Sequence, residues 1–316
     1  SNPSTTAVTF DPTLASGSAA VGTDTASALE FFDGSAWQPV TAAGVTIAAG
    51  ATSVQVRVAT VDDAYLEGSE SFALTATVSS GATTAASAAG TGTISDDIDV
   101  TTVSLTAPAN VAEGGSITYT ATLTNAAQSP VTVALSNGAT IVIAAGTTSG
   151  TATVAAPVDD VYLDGANVSA TITGTSGGDF ESLAVNPAPA TTAISDTVDT
   201  TVVSLSATNA VAEGGTIIYT ATLTNAAQTP VTVTLSTGET ITIAAGATTG
   251  TVDIAAPADD AFIDAGIVSR TIAGATGGNF ESRVINPTAA TTAVTDTVDV
   301  TTVSLSATAS VTEGGT

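Results

Sequence analysis

The chain has 316 residues, with three arginines and no lysine against 29 aspartates and glutamates, a net charge of −26, and no cysteine, methionine or histidine. Cations this sparse exclude a nucleic-acid partner and argue against binding an anionic membrane, and no apolar run reaches the ~18 residues that span a bilayer. Disulfides, thiolate or imidazole metal sites and every His- or Cys-based catalytic arrangement are excluded as well, which leaves carboxylates as the abundant chemical group. Hydrophobic residues make up 43% of the chain and aromatics only 4%, so its cores must be built from Val, Ile, Leu and Ala.

In chain order, residues 5–10 read as a strand, and the stretch Phe31-Phe32-Asp33-Gly34-Ser35-Ala36-Trp37 as a hairpin with a core tryptophan. Val61-Asp62-Asp63-Ala64-Tyr65-Leu66-Glu67 then forms an acidic loop, and Ile94-Ser95-Asp96-Asp97-Ile98-Asp99 closes the segment. Residues 103–113 read as one strand running from pole to pole and ending in Glu113. In residues 116–124 Ile117, Tyr119, Ala121 and Leu123 alternate with Thr and Ser, the pattern of a half-buried strand. Stretches 131–135, 139–143, 151–154 and 168–172 repeat that theme between Asn-Gly, Ala-Gly-Thr and Gly-Gly turn signals. About seven short strands in ~100 residues, without helical periodicity, predict an all-β fold of tandem immunoglobulin-like sandwiches.

The run from Val111 recurs from Val211, a shift of 100 residues that carries nearly the whole segment with it. Residues 99–198 and 199–298 are therefore two repeats, 1–98 a divergent copy without its first strand, and 299–316 the first strand of a further copy. Of eight acidic residues in 101–200, seven have an acidic counterpart 100 positions later: Glu113, Asp159, Asp160, Asp164, Glu181, Asp196 and Asp199. In a sandwich Glu113 and Asp196 meet at one pole. If the loop 159–164 caps that pole, Glu113, Asp159, Asp160, Asp164 and Asp196 converge, and such a cluster cannot ionise fully without a cation. Six to eight hard oxygen donors suit calcium. The matching set in the next repeat is Glu213, Asp259, Asp260, Asp264 and Asp296. Glu181 and Glu281 follow Gly-Gly-Asx-Phe turns and read as solubilising surface charges more readily than as ligands, and Asp11, Asp33, Glu239 and Asp253 read as surface charges too.

The order Val-x-Glu-Gly-Gly, strands, Asp-Asp-x-Tyr-Leu-Glu/Asp-Gly and Ile-Ser-Asp resembles Calx-beta domains and, more closely, the extender repeats of giant bacterial RTX adhesins. The resemblance implies calcium ligation by Asp24, Asp62, Asp63, Glu67, Glu70, Asp96 and Asp97 in the first repeat. Asn167 and Ile267 stand where Glu70 does, which implies fewer ions in the later repeats. Asp99, Asp199 and Asp299 lie in the linkers, where an ion would tie neighbours together. The function implied is a non-catalytic, calcium-stiffened extracellular rod of an adhesin or biofilm matrix, with ligands bound by modules elsewhere and with neighbouring repeats or other copies as partners. One alternative is a lectin-like module using Trp37 with Phe31 and Phe32. A second is a filament in which residues 301–316 of one copy complete the first repeat of the next, adding Glu313 to Asp62, Asp63 and Asp96.

Overall fold

A computed structural model describes residues 3–316, and among them every regular element is a strand. The fold is tandem β-sandwich repeats. By internal packing the chain forms two compact units, which do not follow the 100-residue repeats. One holds the residues up to Ala109 with Ile117–Val154 and Val168–Thr192; the other holds Asn110–Ser116, Ala155–Asn167 and Ala193–Thr316.

In the first unit, the opening repeat has a four-stranded sheet in the order Val45–Ile47, Val8–Ser16, Glu70–Ser80, Ser87–Ile94, and a three-stranded one in the order Trp37–Pro39, Thr25–Phe32, Val56–Thr60. Phe10, Leu29 and Val45 are buried, but the core is thin. A cleft of about 530 Å³, lined by Leu14, Leu29, Val56, Phe72, Leu74 and Ala88, opens beside the edge strands Val56–Thr60 and Ser87–Ile94. The body of the second repeat packs better. Its sheet Ser149–Ala155, Ser116–Leu123, Val100–Thr106, Ser182–Val185 presents Val103, Ile117, Tyr119 and Ala121, and its sheet Thr140–Ile143, Val131–Leu135, Ile172–Ser176 presents Val131, Val133, Ile141 and Ile143. All eight are essentially inaccessible, as the alternation predicts. Each Val or Ile buried in this way stabilises by roughly 1.5–3 kcal/mol.

In the second unit the third repeat has the same core with every number raised by 100: Val203, Ile217, Tyr219, Ala221, Val231, Val233, Ile241 and Ile243. Its third sheet orders Ala210–Ala212, Ala290–Thr295, Gly266–Arg270.

The structure corrects two strand expectations. The strand predicted to run from pole to pole is broken: Val100–Thr106 pairs antiparallel with Ser116–Leu123, whereas Asn110–Ala112 crosses to pair parallel with Ala193–Ser195. Pro108, which lacks an N–H, lies in the break, and its carbonyl accepts the Thr192 hydroxyl at 2.8 Å. The equivalent pieces in the third repeat are Thr200–Ala207 and Ala210–Ala212. Residues 301–306, read as a strand, form none, and Val303 and Leu305 are 92% and 98% exposed. Their counterparts in the second repeat, Val103 and Leu105, pair with Leu123 and Ala121.

Candidate metal centres

The crossing piece of the broken strand fixes the site geometry. Glu113 N–H donates to Ser195 O and Glu213 N–H to Thr295 O, both at 3.0 Å, so each glutamate is locked to the end of the last strand of its repeat. Both side chains are buried, at 5% and 6% exposure. Glu113 Oε1 accepts the Thr197 amide at 3.0 Å and Glu213 Oε1 the Thr297 amide at 2.8 Å.

In the first unit, Asp24, Asp62, Asp63, Glu67, Glu70, Asp96 and Asp97 all line one cavity of about 280 Å³. Carboxylate oxygens of Asp24, Glu67 and Glu70 lie within 4.8 Å of one another. Desolvation, then the neighbouring Asp63, Glu70 and Asp24 charges, pushes the Glu67 carboxyl above the ordinary glutamate range; desolvation and Asp24 do the same to Glu70. The Asp62 carboxyl is raised by a shared hydrogen bond with Asp97 and by the charges of Asp97 and Asp99.

In the second unit there are two further clusters. Oxygens of Glu113, Asp196 and Glu281 lie within 4.8 Å of one another, as do those of Glu213, Asp264 and Asp296. Desolvation is the largest cause raising both Glu113 and Asp264; Glu281 and Asp196 push Glu113 further, and Asp260 and Glu213 push Asp264. Asp196 Oδ1, Glu281 Oε1 and Asp296 Oδ1 have neither solvent-accessible surface nor a hydrogen-bond partner. A buried carboxylate oxygen with no donor is costly unless a proton or cation compensates it. No arginine does so: among the described residues the ion pairs are Arg57–Glu30 at 2.7 Å and Arg270–Glu239 at 3.4 Å, neither in a cluster.

The paired aspartates divide their work. The second of each pair accepts the amide two residues on: Asp63 from Tyr65 at 3.0 Å, Asp160 from Tyr162 and Asp260 from Phe262, both at 2.7 Å. These Asx turns hold the loop shape. The first of each pair meets residue 97, 197 or 297. Asp62 faces Asp97, whereas Asp159 and Asp259 accept the hydroxyls of Thr197 and Thr297. Each threonine replaces a repulsive acid pair by a satisfied hydrogen bond, removing one reason for a cation in the later repeats.

Several expected ligands lie elsewhere. Asp164 is exposed and outside the Glu113 trio, in which Glu281 stands instead, while its counterpart Asp264 does join Glu213. Asp99 and Asp199 contribute backbone amides, donated to Glu181 Oε2 and, at 2.6 Å, to Glu281 Oε2. Asp299 and Glu313 are exposed and belong to no cluster. Sequence reading set Glu181 and Glu281 aside, since a single acid after a turn carries no signal of what it will face.

What brings those glutamates into place is a junction that recurs in each unit. In the first, the Tyr65 ring stacks on Phe180 at 6.2 Å and its hydroxyl donates to Ala126 O at 2.9 Å, while Leu66 N–H donates to Asp179 O and Glu181 N–H to Ala64 O. In the second, Tyr162 stacks on Phe280 at 5.7 Å and donates to Ala226 O at 2.7 Å, with Leu163 N–H to Asn279 O and Glu281 N–H to Val161 O. The turn that makes the socket needs Asp179 and Asn279 at φ 57° and 59°, conformations that Asn and Asp tolerate best after glycine.

The LapA domain family model matches residues 99–197 and again 199–297. The chain belongs to the LapA domain family. LapA domains are structural, non-enzymatic repeats of biofilm adhesins, and they place the chain at the cell surface. No curated protein matches the chain. The two LapA matches contain the Glu113 and Glu213 clusters, whereas the cavity of seven carboxylates lies before them. In that preceding repeat Arg57 sits 4.1 Å over the Trp37 ring and Phe32 packs against it at 5.5 Å.

Proposed function

We propose that this LapA-type chain is a calcium-binding spacer of a biofilm adhesin, in which ions at the carboxylate clusters hold each repeat in place and stiffen the chain into a rod. The observation that carries the reading is the set of buried, donor-free oxygens on Asp196, Glu281 and Asp296, beside glutamates that are themselves buried. Calcium supplies what they lack, since it takes six to eight oxygen ligands at flexible geometry and would find only oxygen here. Asp24, Glu67, Glu70 and their neighbours would hold it in the first repeat, Glu113 and Asp196 in the second, Glu213, Asp264 and Asp296 in the third. The expectation of fewer ions in the later repeats is supported by Thr197 and Thr297 standing where the first repeat has Asp97.

Thermal melting with and without a calcium chelator tests this. An ion bound only to the folded state at ~100 times its dissociation constant adds about 2.7 kcal/mol per site. Calcium should therefore raise the melting temperature and magnesium should do so less, because it demands tighter octahedral geometry. A melt indifferent to the chelator removes the proposal.

A further inference from the structure

Glu281 belongs to the third repeat in sequence, yet its carboxylate lies within 4.8 Å of Glu113 and Asp196 of the second. Its two oxygens differ. Oε2 accepts the Asp199 amide at 2.6 Å, which fixes the side chain, and Oε1 has no surface and no partner. The facing Glu113 is a buried residue, 5% exposed, and its hydrogen bond to Thr197 uses Oε1 alone. Glu181 repeats the arrangement in the first unit: the Asp99 amide on Oε2, a buried and unpartnered Oε1, and Asp96 as the facing acid. Both backbones are pinned, by Glu181 N–H to Ala64 O and Glu281 N–H to Val161 O, and the Asp99 and Asp199 amides on Oε2 hold the side chains.

We infer that Glu281 is a direct ligand of the cation held by Glu113 and Asp196, and Glu181 of the cation beside Asp96, so that each repeat supplies one carboxylate to the site of the repeat before it. This rests on the calcium reading above and adds a sign to it. Without the ion, the inserted glutamate is a like charge pressed against buried carboxylates and opposes docking. With the ion, the same glutamate closes the coordination shell and secures it. One residue therefore makes the joint weak when calcium is withdrawn and strong when it is present. In the third repeat Asp264, from the repeat's own loop, takes the third place in the trio, so that site draws all three acids from one repeat.

The test is Glu281→Gln in the full chain, a substitution that keeps shape and the capacity to accept the Asp199 amide. Melting in excess chelator and in calcium, together with calcium affinity by competition against a chromophoric chelator, gives the readouts. Expected are a higher melting temperature than wild type in chelator, a smaller calcium-induced rise, and an affinity loss of at least about ten-fold at one site. Glu239→Gln, remote from every cluster, should leave calcium binding unchanged. If Glu281→Gln binds calcium like wild type, or melts lower in chelator, Glu281 is a packing residue and the inference falls while the calcium reading stands. If wild type itself ignores calcium, both fall.

Discussion

At the residue scale, the core contains polar groups that the fold tolerates and does not use. Tyr119 and Tyr219 are fully buried at the centre of their sandwiches, and neither hydroxyl has a partner. A buried unsatisfied hydroxyl costs about 1–3 kcal/mol against a ring of the same shape without it. Tyr119→Phe and Tyr219→Phe are therefore expected to be neutral or stabilising by up to that amount, read as midpoint shifts in denaturant melts. Tyr65 and Tyr162 sit instead in the Asp-Asp-x-Tyr-Leu loops. They differ physically, because the hydroxyls of Tyr65 and Tyr162 donate to carbonyls of Ala126 and Ala226. That division was not legible beforehand: it depends on which surface each ring meets, and an alternating strand pattern specifies only inside and outside. The same limit hid Glu281. Its chemical type was plain, but its burial against Glu113 is set by a fold over the junction and not by its neighbours in the chain.

At the scale of elements, the strands were legible wherever apolar and Thr residues alternate, because a period of two reports which face is wet. The break at Pro108 was missed although proline is a plain signal against a continuous ladder; the matching break at residues 208–209 has no proline, and there the Thr208 side chain takes the Ile218 amide at 3.1 Å. The acidic clusters were legible in part: the seven acids that the family resemblance implies as ligands in the first repeat line one cavity, whereas Asp164, which spacing had grouped with Glu113, is displaced. The socket turn is the element most open to test. Gly278 has φ +91°, and a Cβ there would lie 2.3 Å from the Phe280 ring. Gly278→Ala should push Phe280 off Tyr162 and cost about 1–3 kcal/mol, strain and overpacking combined. Near-ultraviolet circular dichroism of the stacked rings and the melting midpoint should change together; an unshifted ring signal would show that the turn absorbs the methyl group.

At the scale of the whole molecule, charge dominates: 29 carboxylates face three arginines, and the raised groups Asp62, Glu67, Glu70, Glu113, Glu181 and Asp264 are spread over all the clusters. In Glu181 the Asp99 amide lowers the pKa, and burial with the Asp96 and Asp99 charges outweighs it. A carboxyl whose folded pKa lies above its unfolded value binds its proton more tightly in the native state. Its stabilising contribution is full below the unfolded value, near 4.5 for glutamate, and is lost as pH rises through the folded pKa. Calcium-free protein should accordingly melt higher near pH 5 than near pH 8. Asp33 and Glu239, held below their ordinary values by Ala36 and Ser35 amides and by the Thr237 hydroxyl, act in the opposite sense and only at lower pH. Calcium should reverse the trend, since it competes with protons for the same oxygens. Melting curves at the two pH values with chelator and with calcium give four points, and parallel slopes in the two conditions would contradict the account.

The aromatic plug on each acidic loop and the Gly-Gly-Asx-Phe-Glu socket that receives it are carried by one and the same repeat type. A copy that carries both parts, as residues 99–198 do, can then follow another with its joint already matched. Duplication or loss of a 100-residue stretch, the kind of change that recombination between near-identical coding segments produces, would lengthen or shorten such a chain in whole steps and leave every remaining joint intact. Reach could be adjusted by copy number alone, with no interface to redesign.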